Sequence, residues 1–259
     1  MSSYQTTFEK HKKLIDTIVR KKNEGQTLYL VLGGYVNFVE NKRGRTFFNH
    51  DNVFIIDKEA CDDTCPFKDR YFQLDFLNPS SMLFFKKIKD CFNTVLFDWS
   101  VYKFLTFISN PMGNVFRNNQ IQSIFKIFFL IIKPGGRLII DDPKMDYGIP
   151  PASYVEKKRK EAPNGIMPMN AIVKNYKREL GDRNLSWLTE RLQNAGFTNF
   201  IFVPNPNEIT DSIVKQIYTE GITELLPVLI AEKPASSNGG KRKTQKSRKT
   251  RKNKFAKSK

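Results

Sequence analysis

The chain has 259 residues, 40% of them hydrophobic and 13% aromatic, with Phe used 22 times. That is enough apolar surface for one α/β domain with a sizeable core, and it excludes an intrinsically disordered chain. The formal net charge is +17, but the segment 239–259 holds eleven Lys or Arg and no acid, leaving +6 for the rest.

In chain order, residues 5–24 place Phe8, Ile15, Ile18 and Val19 on one stripe with Lys12, Lys13, Lys21 and Lys22 mostly opposite, an amphipathic helix stopped at Gly25. His11 lies on this charged helix and is read as solvated. The run "TLYLVLGG" (27–34) is short, continuous, apolar and ends in turn residues, which predicts a buried strand. "NKRGRTFFNHDN" follows with a weak helical pattern. "NVFIID" (52–57) and "RYFQLDF" (70–76) are a second and third strand, each ending at or near an acid. "PSSMLFFKKIKDCF" begins with Pro and Ser and carries apolar residues at helical spacing, a helix with a cap. "NTVLFDWS" (93–100) is a fourth strand ending in Asp98; a helix over 118–132 stops at "KPGG"; "RLIIDD" (137–142) is a fifth strand.

Residues 143–183 are rich in Pro, Met, Lys and Asn, with charged helices at "SYVEKKRKE" and "NAIVKNYKREL", and form an insertion or lid. "LSWLTERLQNAGF" then predicts a helix closed by Gly196, "TNFIFVP" a strand, 205–220 a loop with a short helix, and "ITELLPVLIAEKP" a last strand. Alternating helices and nearly all-apolar strands imply a parallel sheet covered on both faces. The polar strand ends then share one rim, outside which open α/β sheets bind ligands. The boundaries follow: 1–26, a helix packed on the domain; 27–235, the domain, with 143–183 inserted; 236–259, a basic tail disordered by itself.

Cys61, Cys65 and Cys91 are odd in number and no secretory segment precedes them, which fits a reducing, intracellular compartment and not secretion. The most apolar run, "IFKIFFLII", contains Lys126 and is far shorter than the roughly 20 residues of a membrane span. His50 with C-x3-C makes a poor zinc site, so no metal is assigned. Asp141 and Asp142, at the end of the fifth strand, are within reach of the site, but "DDP" is also an ordinary turn, so neither is assigned to it.

Three segments carry a family resemblance. "FKIFFLIIKPGGRLIID" resembles the helix, Pro-Gly-Gly turn and fifth strand of class I S-adenosylmethionine-dependent methyltransferases; "LTERLQNAGFTNFIFV" is similar to their late helix, Ala-Gly-Phe turn and sixth strand; "PVLIAEKP" resembles their final strand. The resemblance spans about 27–234. It implies a Rossmann-like, mostly parallel seven-stranded sheet with helices on both faces and the last strand antiparallel, S-adenosyl-L-methionine as cofactor, and a transferase activity. It places Gly33 and Gly34 where the backbone passes close to the cofactor. Asp57, 23 residues past Gly34, would accept hydrogen bonds from the ribose hydroxyls. Asp75 with Phe76 would meet adenine. Asp98, with Trp99 and Ser100, would face the methyl donor and the substrate, Asp98 as general base or as a holder of the cofactor amine, Trp99 and Ser100 at the substrate. The family's first loop has an acid and Gly-x-Gly-x-Gly, whereas this chain has Leu30 or Val31 and two adjacent glycines.

The basic insertion and tail favour RNA or DNA as the acceptor, with no membrane partner. The alternative is a catalytically degenerate methyltransferase fold that serves as a nucleic-acid-binding or virion-associated protein through its tail. The Phe, Asn, Lys and Ile bias with the basic ending also resembles proteins of large nucleocytoplasmic DNA viruses, which would place the chain in a host cell's cytoplasm or nucleus, or in a virion. Deleting residues 239–259 is expected to flatten the salt dependence of nucleic-acid affinity, read by anisotropy titration from low to moderate salt; an unchanged slope removes the tail as the binding element.

Overall fold

A computed structural model of the chain describes residues 3–33, 45–60, 67–75, 78, 81–97, 114–141, 150–163, 166–219 and 227–235. The elements are α1 (Ser3–Asn23), β1 (Tyr29–Leu32), α2 (Arg45–Phe48), β2 (Val53–Asp57), β3 (Tyr71–Gln73), α3 (Met82–Lys87), β4 (Phe92–Phe97), α4 (Asn114–Ile131), β5 (Ile132–Asp141), α5 (Ala152–Glu161), α6 (Met169–Ala195), β6 (Thr198–Val203), α7 (Ser212–Thr219) and β7 (Val228–Glu232).

The strands form one seven-stranded sheet in the order β3-β2-β1-β4-β5-β7-β6. The first five pair in parallel, and β7 runs antiparallel to both β5 and β6. This is the 3-2-1-4-5 order of the doubly wound fold with a reversed strand set between the fifth and sixth. The sheet is therefore Rossmann-like, with its last strand antiparallel.

Continuous apolarity in the strands has a direct cause: both faces are buried. Leu30, Leu32, Phe54, Ile56, Val95, Phe97, Leu138 and Ile140 point into one core with Ile15 and Ile18 of α1, Phe84 and Phe85 of α3, the apolar side of α4, and Leu188 and Leu192 of α6. Tyr29, Val31, Val53, Ile55, Leu96 and Ile139 point into the other with Phe47 and Phe48 of α2 and Val214, Ile217 and Tyr218 of α7. The weak helical pattern before β2 is realised as the single turn α2, whose two Phe side chains are fully buried.

Three expectations change. His11 is buried, 5% exposed, where solvation was expected; its Nε2 lies 3.3 Å from the Gln73 carbonyl and its ring meets Phe72 and Phe84 edge-on. The amphipathic stripe hides it because the apolar side of α1 is wider than its aliphatic residues. Second, the two helices expected on either side of residue 183 are one helix, α6. Gly181 sits inside it and is buried, so its intrinsic cost of about 1 kcal/mol against Ala is borne by packing on both sides. Third, the "KPGG" turn lies within β5.

The motif glycines have packing reasons. Gly196 ends α6 at φ 109°, and a Cβ there would meet the Phe129 ring at 2.9 Å. Gly135 has φ 78°, and a Cβ on Gly136 would meet the Asn93 carbonyl oxygen at 2.7 Å. Lys233, 9% exposed, locks the same end of the sheet. Its Nζ donates to Asp90 Oδ1, the Phe129 carbonyl and the Ile132 carbonyl, each at 2.7 Å. It thereby satisfies carbonyls at the end of α4 that no helical N–H reaches.

Gly136→Ala is expected to destabilise the fold by about 1–3 kcal/mol, because its methyl group collides with a backbone oxygen that cannot rotate away. Thermal unfolding reads this; an unchanged melting temperature would contradict the close approach.

Candidate functional site

Register places the strand ends side by side. Leu32 lies level with Ile56 and Phe97, and Phe97 with Ile140. Gly33, Asp57 and Asp141 are each the next residue on, so they stand along one rim at the carboxyl ends of β1, β2 and β5. Adjacent strands are about 4.8 Å apart, which puts Gly33 beside Asp57 and Asp141 about 14 Å from it.

Gly33 turns the chain at φ 77°, a conformation that favours glycine, and its N–H donates to the Ile56 carbonyl at 2.9 Å. The loop after β1 is thus tied to the end of β2 at its first residue. Asp57 is 7% exposed. Its Oδ1 accepts the Glu59 N–H at 3.1 Å, and the Glu59 carbonyl accepts the Tyr71 hydroxyl at 2.7 Å. Its own carbonyl accepts the Leu74 N–H at 2.7 Å. A carboxylate at a strand end is ordinarily mobile; this one is fixed by a turn that β3 clamps from the side. Tyr71 is a positioning residue that sequence reasoning missed, since in the sequence it is one more aromatic in an apolar strand.

Asp75 follows β3 with its side chain exposed. Its carbonyl accepts the Ser81 hydroxyl at 2.6 Å and the Asn78 N–H at 3.1 Å, which shapes the turn into α3. Asp141 ends β5, as the strand "RLIIDD" predicts, 3% exposed and level with Val228. It is a second buried carboxylate on the rim, and the local pattern "IIDDP" gave no sign of that burial.

Leu30 and Val31, which stand where the family's first acid would be, are fully buried in opposite cores. Neither position offers a polar group to the rim. Gly34, Phe76, Asp98, Trp99 and Ser100 lie outside the described residues, as do Asp142, Cys61, Cys65 and the tail from 236. Among the described residues no three His, Cys, Asp or Glu side chains gather to hold a metal, and no helix is long and apolar enough to cross a membrane. Cys91 is buried, and that burial, with Asp90 adding and Lys22 opposing, pushes its thiol up to about 11, so it is inert as a nucleophile at neutral pH.

A cavity of about 400 Å³ opens at the other end of the sheet, lined by Lys21, Thr27, Tyr29, His50, Asn52 and Ile213. It lies against the first residues of β1 and β2, a strand length away from Gly33 and Asp57. Lys21 Nζ there already donates to Asn52 Oδ1 at 2.7 Å and the Asp51 carbonyl at 3.2 Å. The Tyr29 phenol is held above its ordinary range by burial and by Asp211, with Arg137 opposing. It stays protonated at neutral pH.

The rim fits a nucleoside better than a dinucleotide. A pyrophosphate needs a glycine-rich cradle opening a helix, and "GGYVNF" provides no third glycine. A ribose needs a close backbone and a fixed carboxylate, which Gly33 and Asp57 provide on neighbouring strands.

No protein-family model matches the sequence, and no curated protein matches it. Among solved structures the chain is similar to a mutant of the 16S rRNA (adenine(1408)-N(1))-methyltransferase with cosubstrate SAM from Catenulisporales acidiphilia, at 14% identity over 87% of this chain and 93% of that one, with a TM-score of 0.39. It is similar to the antibiotic-resistance methyltransferase Kmr at 13% identity over 85% and 93%, TM-score 0.41. With the CurJ carbon methyltransferase it shares 10% identity over 81% of this chain and 49% of that one, TM-score 0.41. Likenesses of this size add nothing to the argument, and the Rossmann-like fold stands on the strand order and register themselves.

Proposed function

We propose that the chain binds S-adenosyl-L-methionine at the carboxyl rim and transfers its methyl group to a nucleophile on a nucleic acid. The observation that carries this reading is the fixed, buried carboxylate of Asp57 beside the left-handed Gly33 turn on the adjacent strand. The reversed β7 and the resemblance of the Pro-Gly-Gly and Ala-Gly-Phe segments favour this cofactor over a nicotinamide dinucleotide.

When bound, the cofactor supplies a methyl group on a sulfonium that is already electrophilic. The chain's own contribution is placement. Asp57 would accept hydrogen bonds from the ribose hydroxyls, and Tyr71 would keep its carboxylate aimed through the Glu59 turn. Gly33 and Gly34 would let the backbone approach without a Cβ in the way. Asp75 with Phe76 is assigned to the adenine, Asp98 to the acceptor's proton or the cofactor amine, and Trp99 with Ser100 to the acceptor. The basic insertion and tail would draw RNA or DNA to this rim.

The buried Leu30 and Val31 favour a second reading, a fold that keeps its scaffold and has lost catalysis. Calorimetric titration with S-adenosylmethionine and S-adenosylhomocysteine separates the two. Micromolar affinity is expected, lost on Asp57→Ala and weakened about tenfold or less on Tyr71→Phe, since one hydrogen bond that orients the carboxylate contributes about 1 kcal/mol. No binding at millimolar cofactor would overturn the transferase reading; binding unchanged in Asp57→Ala would remove Asp57 from the site.

A further inference from the structure

Helix α6 is much longer than the strands it covers. Its 27 residues extend about 40 Å at 1.5 Å per residue. Its second half joins the core through Leu185, Trp187, Leu188, Leu192 and Ala195, and the helix packs on α4 and β6. That stretch is about 15 Å long, the length of a five-residue strand at about 3.3 Å per residue. β6 follows α6 directly and runs parallel to β5, because both are antiparallel to β7. The end of α6 therefore lies at the amino ends of the parallel strands, and no residue of its first half, from Met169 to Asn184, belongs to either sheet core.

This first half is stiffened by α5. The Tyr154 and Tyr176 rings meet at 4.9 Å, and Lys158 Nζ lies 3.1 Å from Glu179 and 3.3 Å from Glu161. Ala162 and Ile172 are buried. At the outer end the side chains of Ile166 and Met169 are 77% and 50% exposed, two of the four large apolar groups most open to solvent among the described residues. Along the arm, residues 152–184 hold eight Lys or Arg against four Asp or Glu. Lys157 and Lys158 pair with Glu161 or Glu179, whereas Arg159, Lys160, Lys174 and Lys177 make no ion pair among the described residues. An exposed apolar tip on a stiff arm with unspent cations along both helices needs a partner that is both anionic and flat-faced.

We infer that the α5–α6 arm grips a nucleic acid strand, with Arg159, Lys160, Lys174 and Lys177 on its phosphates and Ile166 and Met169 against its bases. The inference deepens the proposed function by naming the element that holds the acceptor. A small-molecule acceptor would leave these cations and the exposed Ile166 and Met169 without a use. A strand carries charge at regular spacing along its length and presents apolar base faces between, which is the arrangement the arm complements.

The test uses the full chain and a fluorescently labelled 20-nucleotide RNA, with a DNA duplex of the same sequence, in anisotropy titrations at several salt concentrations. The combined Arg159→Ala, Lys160→Ala, Lys174→Ala, Lys177→Ala variant is expected to lose at least tenfold in affinity. It should also show a shallower slope of log K against log salt by about 0.7 per lost phosphate contact on the single strand and about 0.9 on the duplex. Ile166→Ser with Met169→Ser should weaken binding about fivefold and leave the slope unchanged. All six positions are exposed or half-buried, so thermal melts should match the parent, and Lys12→Ala with Lys13→Ala on α1 is the charge control. The inference is overturned if both arm variants bind as the parent does, if the control variant loses as much as the arm variant, or if the apolar variant loses phosphatidylserine vesicles and not RNA. Poly-glutamate competing as well as RNA would also overturn it, in favour of an acidic protein partner. Calorimetry with S-adenosylmethionine on the same variants keeps the two proposals apart: cofactor binding with an inert arm sinks only the arm, and an RNA-binding arm without cofactor binding sinks only the transferase reading.

Discussion

β1 lies between β2 and β4, both parallel to it, so the chain leaves β1 toward one edge of the sheet and later returns on its other side. Crossovers on the two sides diverge, and in sheets of this order the crevice for a ligand opens outside the carboxyl ends of the strands at that point. Gly33 is the residue that stands there. Its positive φ turns the backbone, its N–H ties the loop to β2, and the fixed carboxylate of Asp57 is its neighbour. The candidate site is thus a consequence of strand order before it is a consequence of any one side chain. The cavity at the amino rim lies where the topology opens no crevice.

Much of this was legible from local pattern. Strands buried on both faces read as unbroken apolar runs, and Asp57 and Asp141, in "NVFIID" and "RLIIDD", do stand on one rim. What stayed hidden depended on distant partners. The His11 ring is buried by Phe72 and Phe84, more than sixty residues away, and nothing within α1 announces it. The segments "NAIVKNYKREL" and "LSWLTERLQNAGF" read as two helices because nothing local shows that Gly181 between them is buried inside one. The burial of Asp141 stays hidden because its neighbour in the sheet is β7, which arrives much later in the chain. Tyr71 is invisible as a positioning group because the Glu59 carbonyl it bonds belongs to a turn formed by another strand.

The segments that carried the family resemblance turn out to report backbone packing. Gly136 is where β5 presses on the Asn93 carbonyl, and Gly196 is where α6 ends against Phe129. Lys233, in the segment "PVLIAEKP", closes the end of α4 with three hydrogen bonds. All three hold the sheet's far end together, and none touches the rim. They are strong evidence for architecture and weak evidence for chemistry, since a fold can keep them after its activity has gone. The claim of function therefore rests on Gly33, Asp57 and the turn that Tyr71 clamps.

The most direct measurement is a crystal structure of the protein with S-adenosylhomocysteine. The account predicts ligand density at the carboxyl rim, with the ribose hydroxyls within hydrogen-bond distance of the Asp57 carboxylate and the backbone of Gly33 against the nucleoside. Density in the cavity between Lys21, Tyr29 and His50, with the Asp57 rim empty at saturating ligand, would contradict it.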